Sequence, residues 1–274
     1  MFVKSPVGKT RNSPRSLHQR VLGGVQLVID NPRIRRTLVV HRHKFTKGVV
    51  PQILIPMLCW PNKGRFRKPD NLAILLLHNR DYKTILEQSL DYLGIESYSV
   101  VSPHLPAGVW RHTAKITAAL NFAKNCAEEY ILYVDSDDAI LIGDPQRAID
   151  LLHDSDGEVL FSATRFRAYQ LMPELQTWYR QVADDAGWSR AKNVHLNSGV
   201  YVGRRKPLID FLEAAAEYVT DNDLSLEEFG IKCKAGMMPE FPLGCGCDQS
   251  IFRFVYPRFA EIMRLDYASK LAIR

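Results

Sequence analysis

The segment YILYVDSDD, residues 130–138, decides the fold and the site that we expect of this chain. Its first five residues are apolar or aromatic throughout, which is typical of a strand buried on both faces of a parallel sheet. Three carboxylates follow at once, on Asp135, Asp137 and Asp138. Because ligands gather at the carboxyl ends of such strands, the segment predicts a site built on clustered acids.

Clustered acids of this kind suit a hard divalent cation. Two or three carboxylates within four residues repel one another unless a cation or a basic group compensates them. Their oxygens are ligands suited to Mn²⁺ or Mg²⁺, and a nucleotide diphosphate would supply further oxygens. Asp-rich segments also serve as turns and caps, and that alternative stays open. The position directly after a buried strand favours metal binding.

The flanking sequence alternates between apolar runs and amphipathic stretches. Strands are predicted at residues 72–77, 98–101, 130–134 and 159–163. Helices are predicted at residues 85–93 with Gly94 as the stop, 116–127, 145–152, 208–219, and 248–256 with Pro257 as the stop. Strands alternating with helices predict an α/β fold with a mostly parallel central sheet flanked by helices.

Charge divides the chain into two predicted parts. Residues 1–69 carry 15 Lys and Arg against one acid, Asp30. We expect residues 1–69 to be a basic, partly disordered N-terminal extension and residues 70–274 to be one domain. Attraction to a polyanion or an acidic membrane is one interpretation of the extension. A solvated arm is favoured and nucleic acid is disfavoured, because no aromatic residues interleave the first part.

Parts of this extension leave room for structure. The short apolar runs at residues 25–29 and 53–58 allow a strand or two, and residues 61–65 are typical of a linker. No apolar run is long enough to cross a bilayer, and no signal-peptide core follows the basic N-terminus. The five cysteines suggest no disulfide framework, so we expect a cytoplasmic protein. Cys233, Cys245 and Cys247 allow a zinc site, although a glycine-rich turn with free thiols is favoured.

Several short motifs then follow in a recognisable order. They are Trp110 with Ala114-Lys115-Ile116, LYVDSDD (132–138), VLFSA (159–163), LNSGVYVG (196–203), Asp248-Gln249, and LDY (265–267). In this order they resemble the GT-A fold of nucleotide-diphospho-sugar transferases. More narrowly, they resemble the glycosyltransferase domain of the procollagen-lysine hydroxylase/glycosyltransferase family. The resemblance covers about 200 residues, and the acidic cluster and the Leu-Asn-Ser-Gly segment are its most specific parts.

The resemblance implies a set of metal ligands. Two acids spaced as Asp-x-x-Asp hold Mn²⁺ in that family, which maps onto Asp135 and Asp138. The Asp-x-Asp spacing of the wider superfamily would choose Asp135 and Asp137 instead. Asp137 also stands where the family has an aromatic residue that stacks on uracil, so it is a candidate for the nucleotide site. The family's third ligand is a histidine in a His-x-Asn-Gly segment, which this sequence lacks. Three interpretations follow: the chain is truncated, water or another residue fills that place, or metal binding is impaired.

The resemblance also implies donor and acceptor contacts. Catalytic candidates are Asp248, which would orient or deprotonate the acceptor hydroxyl, and Asn197. Candidates for binding the nucleotide sugar are His78, Asn79, Trp110, Lys115, Asp137, Asn197, Ser198, Gly199 and Gln249. Simpler interpretations are a solvated lysine for Lys115, a helix N-cap for Asp248 and a strand-entry turn for residues 197–199. For His195, Trp178 and Trp188 a structural role is favoured.

The expected function is transfer of a hexose from a UDP-sugar to a hydroxyl acceptor, with Mn²⁺ or Mg²⁺ as cofactor. The acceptor is a hydroxylysine-type protein group, a glycan or a small molecule. One alternative is a non-catalytic, transferase-like binding domain. Another is a haloacid-dehalogenase-type phosphohydrolase, which is disfavoured because the acids follow the third predicted strand and Ala139 stands after them.

Overall fold

A computed structural model describes residues 36–41, 51–103, 105, 110–165, 173–219 and 247–273. The strands are β1 (Val39–His41), β2 (Leu72–Leu77), β3 (Ser99–Val101), β4 (Tyr130–Val134), β5 (Ala139–Leu141), β6 (Val159–Thr164), β7 (His195–Arg204), β8 (Met263–Asp266) and β9 (Ala272–Ile273). The helices are α1 (Pro51–Cys59), α2 (Ile85–Leu93), α3 (Ala114–Asn125), α4 (Gln146–Asp154), α5 (Pro173–Asp185), α6 (Arg205–Ala216) and α7 (Asp248–Val255), followed by a 3-10 helix (Tyr256–Phe259).

The main sheet has six strands in the order β3-β2-β4-β7-β6-β8. β7 runs antiparallel to both of its neighbours, whereas β2 pairs in parallel with β3 and β4, and β6 pairs in parallel with β8. The predicted α/β class with a mostly parallel, helix-flanked sheet is therefore confirmed. This arrangement is compatible with a Rossmann-like fold.

The first three strands of this sheet create a switch point. The chain passes from β2 outward to β3 and then returns to β4 on the other side of β2. Connections that leave a parallel sheet in opposite directions open a crevice at the carboxyl ends of the two central strands. The residues that follow β2 and those that follow β4 therefore line the same crevice. The acidic segment is the one that follows β4.

Two apolar clusters cover the two faces of the sheet, because alternate side chains of a strand point to opposite faces. Leu72, Ile74 and Leu76 of β2 pack with α1, α2 and α4 in one cluster. Ala73, Leu75 and Leu77 pack in the other, with α3, α6 and α7. Burial on both faces explains why β2 and β4 are apolar at every position, and both strands have the predicted bounds.

A small second sheet, in the order β5-β1-β9, lies in the first cluster. β1 is antiparallel to β5 and parallel to β9, and Leu38, Val39 and Val40 are fully buried. β1 and α1 thus pack in the core although they come from the segment that the sequence assigns to the basic extension. The division at residue 70 stays a prediction, and residues 25–29 lie outside the described residues.

Three local predictions need correction. The apolar run at residues 53–58 belongs to helix α1 and not to a strand. Asp248 is the first residue of α7 and Cys247 is its N-cap, whose side chain makes no capping hydrogen bond, so the alternative interpretation of Asp248 as the N-cap is wrong. Residues 197–199 lie within the long strand β7 rather than in a turn at its entry. The long-range pairing of β7 with β4 and β6 overrides the turn tendency of Asn, Ser and Gly.

One other local prediction is confirmed, since Gly94 ends α2 in the left-handed conformation, with φ of 87°. The helix begins with a capping box of Thr84 and Glu87, which was not predicted. Residues 61–65, interpreted as a linker, are tied down at Gly64, whose N–H donates to the carbonyl of Tyr92 over 2.9 Å. Among the described residues, no helix combines the length and apolarity that a membrane crossing requires.

Candidate metal centre

The acidic segment occupies the carboxyl end of β4, as the sequence predicts. All five residues of β4 are buried, and the first residue after it, Asp135, donates its backbone N–H to the carbonyl of Gly199 over 2.7 Å. This bond continues the antiparallel pairing of Val134 with Val200 for one more residue. The carboxylate of Asp135 is thereby held at the end of two paired strands rather than in a free loop.

Asp135 and Asp138 meet a histidine that the sequence analysis did not select. The Nε2 atom of His41 lies 3.1 Å from Asp138 Oδ1 and 3.5 Å from Asp135 Oδ2. One ligand atom from each of the three residues lies within 4.8 Å of the others. The side chains are 2%, 19% and 13% exposed for His41, Asp135 and Asp138. The three donors thus form a compact, largely buried set, open on the side of the carboxylates.

Strand pairing brings His41 to this position. It is the last residue of β1, and its register partner in β5 is Ala139, the residue directly after Asp138. The signal in the sequence is a short apolar run that ends in an ionisable residue, Leu38-Val39-Val40-His41, as Val134 is followed by Asp135. This run does not predict a strand by itself, because it is three residues long and lies among basic residues of the predicted extension.

Gly199 makes room for the cluster. A Cβ atom at this position would lie 2.3 Å from His41 Cε1 and 2.6 Å from Asp135 Oδ2, which is far inside van der Waals contact. The sequence analysis expected Gly199 to allow a close approach, and the groups that approach it are these two side chains. The other ring nitrogen of His41, Nδ1, is buried without a hydrogen-bond partner among the described residues. The imidazole is therefore oriented by packing over Gly199 and by its Nε2 contacts.

Lys115 compensates the charge of the acids. Its Nζ donates to Asp135 Oδ1 over 2.7 Å and lies 3.8 Å from Asp248 Oδ2. Tyr133 also donates its hydroxyl to Asp135 Oδ1 over 2.7 Å. The side chain of Lys115 is only 13% exposed, so the alternative interpretation as a solvated lysine is wrong. Among the candidates, Lys115 links the end of β4 to the start of α7.

These contacts set the charge state of the pair. Burial, the largest single cause, would raise the pKa of Asp135, but the ammonium of Lys115 and the ring of His41 together hold this pKa below its ordinary value. Burial would likewise lower the pKa of Lys115, but Asp135 and Asp248 raise it above its ordinary value. Both groups are therefore charged at neutral pH. The oxygen Oδ1 of Asp135 is occupied by Lys115 and Tyr133, while Oδ2 faces His41.

Asp137 points elsewhere. Its carboxylate accepts hydrogen bonds from Arg80, with Nη2 at 2.7 Å and Nε at 3.2 Å from Oδ2. Arg80 follows β2, so this ion pair spans the ends of the two strands that flank the switch point. The side chains are 45% and 35% exposed for Arg80 and Asp137. Of the two spacings considered in the sequence, the structure groups Asp135 with Asp138, and Asp137 lies outside this cluster.

His78 and Asn79, at the end of β2, differ in environment. His78 is buried; its Nδ1 accepts the N–H of Arg80 over 3.2 Å, and its Nε2 lies 3.2 Å from Glu87 Oε2. Glu87 is the capping-box residue of α2, so His78 joins the end of β2 to the start of that helix. Asn79 is exposed beside it. Asn79 and Arg80, unlike His78, are therefore presented on the surface after β2.

Asn197 is the centre of a polar network under the cluster. Its Oδ1 accepts the hydroxyl of Ser162 over 3.1 Å and the N–H of Gly199 over 3.3 Å. Its Nδ2 donates to Gln249 Oε1 over 2.8 Å. Ser198 is also buried. Asn197 therefore fixes Gly199 and α7, and the geometry gives it a positioning role.

The remaining candidates lie further from the cluster. Trp110 is half-buried ahead of α3. His195 is buried against the ring of Tyr179, with centroids 5.7 Å apart, and Trp178 packs edge-on against the same tyrosine, consistent with the structural roles expected of both. Cys247 contacts Ser250, whereas Cys233 and Cys245 lie outside the described residues.

Asp266, part of the last sequence motif, has a structural role. Its carboxylate accepts the backbone N–H groups of Lys270, Leu271 and Ala272 over 3.0, 2.6 and 3.3 Å. These bonds shape the turn that leads into β9, the parallel neighbour of β1. Asp266 therefore supports the strand that carries His41 without contacting the cluster itself.

Comparisons with known proteins assign no family. No protein-family model matches the chain, and no curated protein is significantly similar to it. The resemblance carried by the short motifs thus remains an expectation, and the chemistry of the site has to be argued from the geometry of His41, Asp135, Asp138 and their neighbours.

Proposed function

We propose that this chain is a metal-dependent glycosyltransferase of the GT-A type, which transfers a hexose from a UDP-sugar to a hydroxyl acceptor. The observation that carries the proposal is the cluster of His41, Asp135 and Asp138 at the carboxyl end of β4, beside the switch point of the sheet. The mixed sheet and the acidic segment after its central strand are the fold features that the motif resemblance implies.

The donor set fits a divalent ion such as Mn²⁺ or Mg²⁺. Ligands at about 2.1 Å from an ion with octahedral geometry lie about 3 Å from one another along each edge. The distances from His41 Nε2 to the two carboxylate oxygens, 3.1 and 3.5 Å, are close to this spacing. Two carboxylates and one imidazole are ligands that Mn²⁺ accepts. The remaining positions of such an ion would be open to oxygens of a bound nucleoside diphosphate.

A bound divalent ion would supply Lewis-acid chemistry, offsetting negative charge on a departing nucleoside diphosphate. The protein's own residues contribute in other ways. His41, Asp135 and Asp138 would hold the ion, and Lys115 adds a fixed positive charge 2.7 Å from Asp135. Because Lys115 is largely buried, its charge acts at lower dielectric than a surface lysine and offsets phosphate charge more strongly.

Asp248 is the proposed acceptor-side residue. Its carboxylate is buried and lies 3.8 Å from Lys115, so it shares one cation with Asp135. A carboxylate so placed can accept a hydrogen bond from an acceptor hydroxyl and take its proton. Asn197 and Gln249, hydrogen-bonded to each other, would hold α7 and hence Asp248 in place.

Nucleotide release in the presence of Mn²⁺ tests the proposal. The purified chain is incubated with UDP-glucose, UDP-galactose and other nucleotide sugars, with and without hydroxylysine peptides, glycans and small alcohols. We expect UDP to be released from a UDP-sugar, and we expect Asp135→Asn and Asp138→Asn to abolish the release. Asp137→Asn, a change of the same kind in the same segment but outside the cluster, is the matched control.

Two outcomes would contradict the proposal. Phosphate release from simple phosphate esters, without nucleotide release, would indicate the phosphohydrolase alternative. Tight binding of UDP-sugars without turnover, across all acceptors, would indicate a binding domain.

A further inference from the structure

The outward face of α1 carries no charge, and apart from Gln52 its exposed residues are apolar. The helix sequence PQILIPMLC has no charged residue. The side chains that pack into the core are Leu54, Ile55, Leu58 and Cys59. On the outward side, Ile53 and Met57 are 53% and 36% exposed, and Trp60, directly after the helix, is 73% exposed. A helix without charged residues is common where it is buried on all sides, but one side of this helix faces solvent.

The exposed residues form a patch rather than a scatter. Ile53, Met57 and Trp60 are spaced by four and three residues, the spacing that places side chains on one face of a helix. They are three of the seven large apolar side chains that are exposed in the described part of the chain. Single exposed apolar residues need no explanation, but a contiguous patch marks an interaction surface.

Cations follow this patch directly. Lys63, Arg65 and Arg67 are all exposed, and residues 51–69 contain no acid. Their backbone is held in place, because Gly64 and Phe66 donate to the carbonyls of Tyr92 and Leu93 over 2.9 and 3.0 Å. The alternation of exposed cations with the partly buried Phe66 keeps the three positive charges at the surface. The apolar face and the positive segment are thus two adjacent parts of one anchored surface.

The combination points to one class of partner. A nucleic acid would use the cations but has no use for an uncharged apolar helix face. A symmetric dimer would place this surface against a copy of itself, and residues 51–69 contain no acid that could pair with Lys63, Arg65 and Arg67. An anionic lipid surface complements both parts, because the acyl boundary accepts apolar side chains and the lipid phosphates accept the cations.

We propose that α1 and residues 60–67 bind the surface of an anionic membrane. The helix would lie in the plane of the interface with Ile53 and Met57 towards the acyl chains. Trp60 would lie at the level of the headgroups, where tryptophan is enriched. Lys63, Arg65 and Arg67 would contact lipid phosphates. This surface is independent of the proposed catalysis and would bring a transferase to acceptors at a membrane.

Vesicle co-sedimentation of the full chain tests this surface. The probes are vesicles of phosphatidylcholine alone and vesicles that also contain phosphatidylglycerol. We expect the protein to sediment with the anionic vesicles and to stay in solution with the neutral ones. Replacing Lys63, Arg65 and Arg67 together by Ala should weaken binding by about a hundredfold, since each cation near an anionic surface contributes about fivefold.

Variants that replace the exposed apolar residues distinguish insertion into the lipid layer from simple charge attraction. Ile53→Ser with Met57→Ser, and separately Trp60→Ala, should each weaken vesicle binding by about tenfold. Trp188→Ala is the matched control, because Trp188 is also exposed, at 42%, but lies against Tyr267 in another part of the chain. All these side chains are exposed, so the variants should keep the far-ultraviolet circular dichroism and melting temperature of the parent.

Three results would overturn the proposal. One is that the full chain does not sediment with anionic vesicles. Another is equal loss of binding in Trp60→Ala and Trp188→Ala, or no loss in the apolar variants. The third is a dimer in solution that Trp60→Ala dissociates while vesicle binding is absent, which would assign the face to a second copy.

Discussion

His41 Nε2 lies 3.1 Å from Asp138 Oδ1 although 97 residues separate them in the chain. If the contact serves a metal ion, removing either side chain should weaken Mn²⁺ binding by at least about tenfold to a hundredfold, since even outer-shell partners contribute that much. The comparison is His41→Ala and Asp138→Asn against the parent, measured by titration calorimetry or by the electron paramagnetic resonance signal of free Mn²⁺.

Asp137→Asn provides the control for this measurement, because Asp137 bonds Arg80 and not the cluster. We expect its Mn²⁺ affinity to stay within about twofold of the parent. Should Asp137→Asn lose the ion while His41→Ala keeps it, the ligand set would be Asp135 and Asp137, and the His41 contact would be a structural ion pair.

The pairing of Lys115 with Asp135 makes stability depend on pH in the acid range. The folded protein holds the pKa of Asp135 below its ordinary value of 3.8, so the unfolded chain binds the proton more tightly. The stabilisation by this pair is therefore complete above the ordinary pKa and is lost as pH falls through the lower, folded value. Melting temperature followed from pH 6 downward should fall in this window.

Lys115→Met removes the cation and leaves Asp135 buried without it. The pKa of Asp135 should then rise, and the acid-side fall of the melting temperature that belongs to this pair should disappear. Lys124→Met, which removes an exposed lysine paired with Glu213, is the control on the same helix. Parallel pH profiles of the parent and Lys115→Met would contradict the electrostatic role given to Lys115.

Gly199→Ala should disrupt the cluster by steric overlap. Its Cβ would lie 2.3 Å from His41 Cε1 and 2.6 Å from Asp135 Oδ2, and neither group can move away freely because both are packed. We expect the free energy of unfolding to fall by about 1–3 kcal/mol and Mn²⁺ binding to weaken strongly. Chemical denaturation and calorimetry measure the two effects.

Gly143→Ala is the matched change elsewhere in the core region, since its Cβ would lie 3.4 Å from Leu38 Cδ1, an ordinary contact. It should leave Mn²⁺ binding unchanged. Normal Mn²⁺ affinity in Gly199→Ala would show that the tight fit at Gly199 does not position the ligands.

Asp266→Ala should destabilise the turn before β9. The carboxylate accepts three backbone N–H groups, of Lys270, Leu271 and Ala272, and its removal leaves buried donors without partners. We expect a loss of about 2–4 kcal/mol in the free energy of unfolding. Because β9 pairs with β1, Mn²⁺ affinity should also fall, but less than in His41→Ala.

Binding measured well below the unfolding temperature distinguishes these two effects. If Asp266→Ala unfolds at a lower temperature yet binds Mn²⁺ as the parent does, then β9 contributes to stability but does not position His41.

The strands of the main sheet were predictable where local sequence determines them. Leu72–Leu77 and Tyr130–Val134 are continuous apolar runs between polar residues, and burial on both faces requires that pattern. Gly94 marks the end of α2 because the left-handed conformation favours glycine. Asp135 and Asp138 were predictable because ligands gather at the carboxyl ends of parallel strands and clustered carboxylates require a compensating cation.

His41 and α1 were not predictable by the same reasoning. β1 has three residues, and only its pairing with β5 and β9 makes it a strand. The apolar run of α1 contains Pro56 and has too little polar pattern to distinguish helix from strand. Such features depend on contacts between residues far apart in sequence, which composition and periodicity do not record. The ion pair between Asp137 and Arg80 likewise depends on side-chain contacts across the cleft, which the sequence pattern does not record.

The position of β1 between β5 and β9 has a consequence for assembly of the site. During synthesis β1 is the earliest of the described strands and β9 the latest, so all the other described elements are made between His41 and its parallel neighbour. Only a chain that has been extended as far as β9 can hold that imidazole beside the acids from both sides of β1. Binding of Mn²⁺ would then indicate that this folding step is complete. Chain fragments released before β9 is made would not bind the ion.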